Sequence, residues 1–157
     1  MPGPGTSFSG PLQVGSKVGT DFGSVALAQQ VTLVQNSTTA VTQTITLPGG
    51  SVILDIYADS TTAWNSATSA TLSIGTAAAG TQYGGSVDLK SATARQRPAW
   101  TAAQLNAMSS VSATTPQATL FITSTVVGAT SAGTTIVTVV YLQTVQASLG
   151  VSCPRPI

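Results

Sequence analysis

Histidine and glutamate are absent, and charge of either sign is scarce: five Lys or Arg and four Asp among 157 residues, 6% in all, for a net charge of +1. Without His or Glu, the usual general bases and nucleophile–base triads have no candidates. The carboxylates are Asp21, Asp55, Asp59 and Asp88. Asp55 and Asp59 lie four residues apart, roughly 13 Å along a strand at about 3.3 Å per residue. A glycosidase pair needs roughly 5–9.5 Å, so these two do not fit one. Asp59 and Asn65 match no calcium-loop spacing. The glycines between Gly75 and Gly85 lack the Lys-Ser/Thr that completes a phosphate loop. The composition points away from an enzyme and from any metal or cofactor.

Cysteine is nearly absent too. Cys153 stands alone, which excludes an internal disulfide framework and leaves too few thiols for a zinc site. Long hydrophobic runs are missing: the longest apolar candidate, Ile136–Leu142, is strand-sized, far short of a membrane span. The start, MPGPGTSFSG, has neither a basic nor an apolar region of the kind a signal peptide requires. Synthesis and assembly in the cytoplasm are therefore expected. So small a positive charge also gives no strong electrostatic grip on nucleic acid.

In place of charge stand 26 Thr and 19 Ser, with abundant Ala and Val. Branching at Cβ suits Thr and Val to the pleated sheet, while the charged helix formers are scarce, so the chain reads as all-β. Charged residues normally make up about a quarter of a soluble chain and keep its copies apart. A surface of hydroxyls and small side chains is better suited to packing against other protein, and the chain reads as a component of a larger assembly. A secreted adhesive or stalk-like domain with the same Thr/Ser/Ala/Gly bias is the alternative.

Residues 1–24 are rich in Gly, Pro and Ser, with isolated apolar residues Phe8, Leu12, Val14, Val18 and Phe22. This reads as an extended arm held against a neighbouring subunit or scaffold surface, with an arm folded back on its own domain as the alternative. The sandwich domain spans 25–146, and 147–157, with its two prolines, is an extended tail. Strands are expected at Val25–Gln35, Ala40–Leu47, Val52–Ala58, Thr68–Ile74, Ser86–Lys90, Gln117–Val127 and Thr134–Val145. Leu47-Pro48-Gly49-Gly50 is a turn signal. The stretch Ser51–Thr76 is the best patterned: alternation puts Val52, Leu54 and Ile56 on one apolar face, and Ala70, Leu72 and Ile74 on another. In the last strand IVTVVYL is apolar on both faces, as expected of a strand central in a sheet or covered on both sides.

One helix is expected, over residues 101–110. Thr101 and Gln104 have capping-box spacing, and Trp100 and Leu105 have that of a hydrophobic staple, with Leu105 and Met108 facing inward. Seven or eight strands with regular turn signals and one short helix in a crossover fit a β-sandwich of jelly-roll or Greek-key type.

The segment LPGGSVILDIYADSTTAWNSATSATLSIGTAAAGTQY also resembles one that recurs in small virion proteins of tailed bacteriophages. The shared pattern is Leu47-Pro48-Gly49-Gly50, an apolar strand, Thr62 to Leu72, and Ile74-Gly75. RQRPAWTAAQL and TTIVTVVYLQ fit the same family, so the resemblance covers about residues 45–145. It carries no catalytic signature. It implies a capsid decoration (cement) protein on the outer surface of the virion: a β-sandwich forming a homo-oligomer, commonly a trimer, with the major capsid protein as partner.

On that reading Phe8, Leu12, Val14 and Phe22 of the arm contact the shell. Arg95 and Arg97 are possible interface residues, and Trp64, Asn65, Trp100 and Leu105 fix loops and the helix start. A head-fibre base or tail component of the same virion is the alternative. A carbohydrate-binding or adhesive sandwich ranks behind both, because such modules usually expose several aromatics together, whereas Trp64 and Trp100 already have structural roles.

Overall fold

The structure, a computed structural model, describes residues 24–36, 39–90, 94–111 and 117–144. The strands are β1 Ser24–Val34, β2 Ala40–Pro48, β3 Val52–Thr62, β4 Ser69–Gly75, β5 Gly84–Asp88, β6 Arg95–Gln96, β7 Gln117–Val127 and β8 Thr134–Thr144; helix α1, Ala102–Met108, lies between β6 and β7. The arm residues Phe8, Leu12, Val14 and Phe22, and the lone Cys153 of the tail, lie outside the described residues. No helix among the described residues is long and apolar enough to cross a membrane.

The strands form two four-stranded sheets, in the orders β1-β8-β3-β6 and β2-β7-β4-β5. Every pairing is antiparallel. First pairs with last, second with seventh, third with sixth and fourth with fifth. A long antiparallel ribbon rolled onto itself gives this nesting, and it is the jelly-roll form of the sandwich. Apart from β4–β5, every connection carries the chain from one sheet to the other. The two strands of Ser51–Thr76 are accordingly not partners in one sheet: they face each other across the core.

The core follows from period-two burial. Val41, Ile45 and Leu47 of β2, Ala70, Leu72 and Ile74 of β4, Leu120 and Ile122 of β7, and Val137, Val139 and Tyr141 of β8 are buried between the sheets. As its pattern predicted, β8 is central, hydrogen-bonded to β1 on one side and β3 on the other.

Strand β3 departs from the expected alternation. A register shift lies between Ile53 and Asp55, where the pairing with β8 skips Leu54. This bulge puts Ile53, Ile56 and Ala58 inward and leaves Leu54 49% exposed, so Val52, Leu54 and Ile56 do not share a buried face. Simple alternation fails here because one residue more is spent on β3 than on its partner.

The turn at 47–50 closes as expected. Gly50 takes φ +76°, its N–H donates to the Val111 carbonyl, and Ser51 donates from both its backbone N–H and Oγ to the Pro48 carbonyl. The helix has its capping box: the Thr101 hydroxyl accepts from the Gln104 N–H while the Gln104 side chain accepts from the Thr101 N–H. Leu105, however, is 53% exposed. Gln104 also donates to the Thr81 carbonyl at 2.7 Å, which turns the Gln104–Ala107–Met108 side inward, and Met108 alone of the helix is buried. Trp100 packs on the core from a half-buried position.

The bulge makes a specific mutational contrast. Leu54→Ser is expected to change stability by no more than about 0.5 kcal/mol, as for an ordinary surface position. Ile56→Ala, two residues on, should cost about 2–5 kcal/mol. Chemical denaturation of the two variants distinguishes this register from an unbroken one, in which Leu54 would be the costly position.

Candidate functional site

The described charges are concentrated on one outer surface. After the bulge, Asp55, Tyr57 and Asp59 point away from the core on β3, and β6 runs alongside with Ala58 opposite Gln96 and Asp59 opposite Arg95. Arg95 grips Asp59 through two bonds, Nε to Oδ1 and Nη2 to Oδ2, both 2.9 Å. Its guanidinium also sits over the Tyr57 ring, 3.9 Å from the centroid. Arg97 pairs with Asp55 at 2.7 Å. The two carboxylates that sequence spacing separates are each occupied by a guanidinium. The hydrogen bond from Arg95 holds the Asp59 carboxyl below its ordinary range, and the same bond raises Arg95. The cluster is net neutral, and both arginines remain more than half exposed.

Across the rest of that sheet the outer surface is uncharged. Ala26, Ala28, Gln30 and Thr32 of β1 lie beside Leu142, Val140, Thr138 and Ile136 of β8, and Gln30 donates to the Thr138 hydroxyl at 3.0 Å. The outer face of the second sheet is lined with hydroxyls. Thr42, Thr44 and Thr46 of β2 stand opposite Thr123, Phe121 and Thr119 of β7, which in turn neighbour Ser73 and Gly75 of β4. Thr42 and Thr123 share a hydrogen bond at 3.0 Å. The β4–β5 loop leans on this face, with the Ala79 N–H donating to Thr123 Oγ1. That contact buries Thr123 although it points outward.

Trp64 and Asn65, in the β3–β4 connection, hold the β7–β8 loop. Trp64 is fully buried, and its Nε1–H donates to Thr135 Oγ1 at 2.8 Å, which also hydrogen-bonds Ser60. Its ring lies where a side chain on Gly133 would have to go: a Cβ there would come within 2.4 Å of it. The carboxamide oxygen of Asn65 accepts from the N–H groups of Ser131 and Ala132 and from the Thr130 hydroxyl, at 2.9–3.1 Å. Trp100 donates its indole N–H to the Tyr83 carbonyl. Leu105 makes no part of this arrangement, since it faces outward.

An open groove of about 500 Å³ lies between β5 and the start of α1, lined by Asp88, Arg97, Thr101, Gln104 and neighbours. Among the described residues no three His, Cys, Asp or Glu side chains converge as metal ligands would.

Sequence reasoning picked out Arg95, Arg97, Asp55 and Asp59 singly but missed their pairing, which depends on β6 returning beside β3. The alternating threonines of VTQTITL do mark one face of β2, but the sequence does not show that they lie beside Thr119 and Thr123 of β7. Comparison with known proteins brings no further assignment, since no family model, no curated protein and no solved structure matches the chain.

The ion pair sets a pH dependence. Because the folded-state pKa of Asp59 is lowered, its stabilisation is fully present above the ordinary aspartate value of about 3.9 and is lost as pH falls through the lower folded-state value. Carboxyl-detected NMR titration should place the Asp59 midpoint below the ordinary value, and Arg95→Gln should move it back up. An unmoved midpoint in the variant would show that the pair does not form in solution.

Proposed function

We propose that this protein is a non-enzymatic structural component of a virion, a capsid decoration (cement) protein that binds the outside of a phage head and stabilises the shell. The observation that carries the reading is the character of the outer surfaces. Two broad sheet faces are covered by Thr, Ser, Ala and Val, and the four charges on the first of them are spent on one another. Such faces suit close packing over area, where a standard specific interface buries roughly 1,200–2,000 Å² in total. The sequence resemblance over residues 45–145 supplies the identity of the partner, the major capsid protein, and the trimer as the oligomer to expect. Eight-stranded jelly rolls are a recurrent architecture of capsid proteins, which agrees with the reading at the level of fold.

The mechanism is linkage. A protein that binds the assembled, expanded shell and not its dissociated subunits lowers the free energy of the assembled state, by roughly 2.7 kcal/mol per site at a free concentration of 100 times Kd. In this reading the arm, residues 1–24, and the low-charge faces make the contacts, with Arg95 and Arg97 at the rim.

Mixing the purified protein with undecorated heads and counting bound copies tests the function. Saturation over the whole shell is expected; a few copies confined to one vertex would favour a fibre-base or tail role, and none would overturn the proposal. Deleting residues 1–24 should leave a folded oligomer that no longer binds heads. Normal binding by the truncated protein would refute the role given to the arm.

A further inference from the structure

The four sheet edges of the sandwich are not equivalent. On one flank lie β5 and β6, and both are blunted. Strand β6 has two residues and carries Arg95. Strand β5 has five, ends in Asp88, and is bent by a register shift where Ser86 takes φ +60°. Short length, charge and bulges are the devices by which natural sheets keep their edges from pairing with other chains. On the opposite flank lie β1 and β2, at the ends of their sheets. They have 11 and 9 residues, and neither contains a charged residue.

Strand β1 lacks every one of these protections. It pairs with β8 in unbroken register from Ser24 to Val34. The Gln35 N–H donates toward β8, to the Gly133 carbonyl at 2.9 Å. Backbone groups alternate sides along an antiparallel strand, so the odd-numbered residues of β1 face β8 and those of Ala26, Ala28, Gln30, Thr32 and Val34 face away from it. No described strand pairs with that side. On β2 the corresponding edge is partly closed from within, because Gln29 donates to the Thr46 carbonyl at 3.1 Å and Pro48 ends the strand. Beside the β1 edge the core is incompletely covered at Leu27, which is 38% exposed, and Val34 adds an exposed apolar side chain on the outer face.

We infer that the free edge of β1 is a strand-pairing interface, occupied by an extended strand of a second copy of this chain. N–H and C=O groups that no described strand pairs, in register along the 11 residues of β1 over about 37 Å at 3.4 Å per residue, are matched by another strand and by no other shape. The occupant is a copy of the same chain because nothing on the edge selects a charged or unlike partner. Every copy also brings to the encounter the same uncharged flank, with β1 from one sheet and β2 from the other side by side. The contrast with the blunted flank gives the assembly a direction: copies join through the β1/β2 side and leave the β5/β6 side outside.

Two variants test this in the full-length protein, without any capsid present. In Ala28→Pro the lost N–H is one that faces away from β8, so an edge strand tolerates the ring while an incoming strand loses its bond and meets the ring. In Thr32→Lys a charge is placed on the exposed edge strand, as natural edges carry. Sedimentation velocity should find the wild-type protein as a closed oligomer, dimer or trimer. Both variants should self-associate at least about tenfold more weakly, equivalent to 1.4 kcal/mol or more, and sediment as monomers with the wild-type circular dichroism spectrum. If Ala28→Pro fails to fold, Thr32→Lys decides alone. A monomeric wild type, or a folded variant that keeps the wild-type mass, would overturn the inference. The outcome is independent of whether the protein binds heads.

Discussion

The buried indole of Trp64 is the point on which the two sheets are joined. The chain leaves β3 in one sheet and must enter β4 in the other, and this tryptophan sits in that passage. Its N–H is bonded to Thr135 of β8, its ring fills the space that Gly133 leaves empty, and its backbone N–H donates to Leu89 beyond β5. One residue, through its side chain and its backbone N–H, thus ties a crossover to strand ends from both sheets. Asn65 completes the tie by satisfying three donors of the β7–β8 loop. A buried indole whose N–H is satisfied contributes a large apolar area without the penalty of an unpaired donor.

With the sheets fixed in this way, the outside of the molecule divides by chemistry. One sheet presents a hydroxyl face. The other presents small and apolar side chains with a self-neutralised cluster of two arginines and two aspartates at one margin. One flank is blunted against further strand pairing, and on the other no described strand pairs the outer side of β1. A soluble monomer would need charge to keep its copies apart, and this one has little to spare. The economy of charge and a β1 edge that no described strand pairs are the two features on which the proposed self-association rests.

Much of this was legible in the chain. The span Gln117–Val127, the cap at Thr101 and Gln104, the turn at 47–50 and the inward row of β4 each depend on residues close in sequence. Where the reading failed, the deciding contact was distant. Leu54 looks like a core residue in a regular alternation, and only the pairing of β3 with β8 reveals the bulge that turns it outward. Leu105 has the spacing of a staple, but the bond from Gln104 to Thr81 in another loop rotates the helix away from it. The candidate site divides in the same way. Trp64 and Asn65 stood out as loop-fixing residues by type and position, whereas Asp55–Arg97 and Asp59–Arg95 span about forty residues of chain, and no local pattern announces them.

By itself the sequence determined the class of the molecule: an all-β chain poor in charge, with period-two stripes long enough to bury a core. Those properties are local, set by branching at Cβ, by alternation and by turn chemistry within a few residues. Tertiary structure alone decided which strand lies beside which. The strand neighbours determine whether the form is a jelly roll, where a bulge must fall, and which strands are left at the edges. Edge identity is not written in any one strand, because a strand is an edge only by what fails to pair with it.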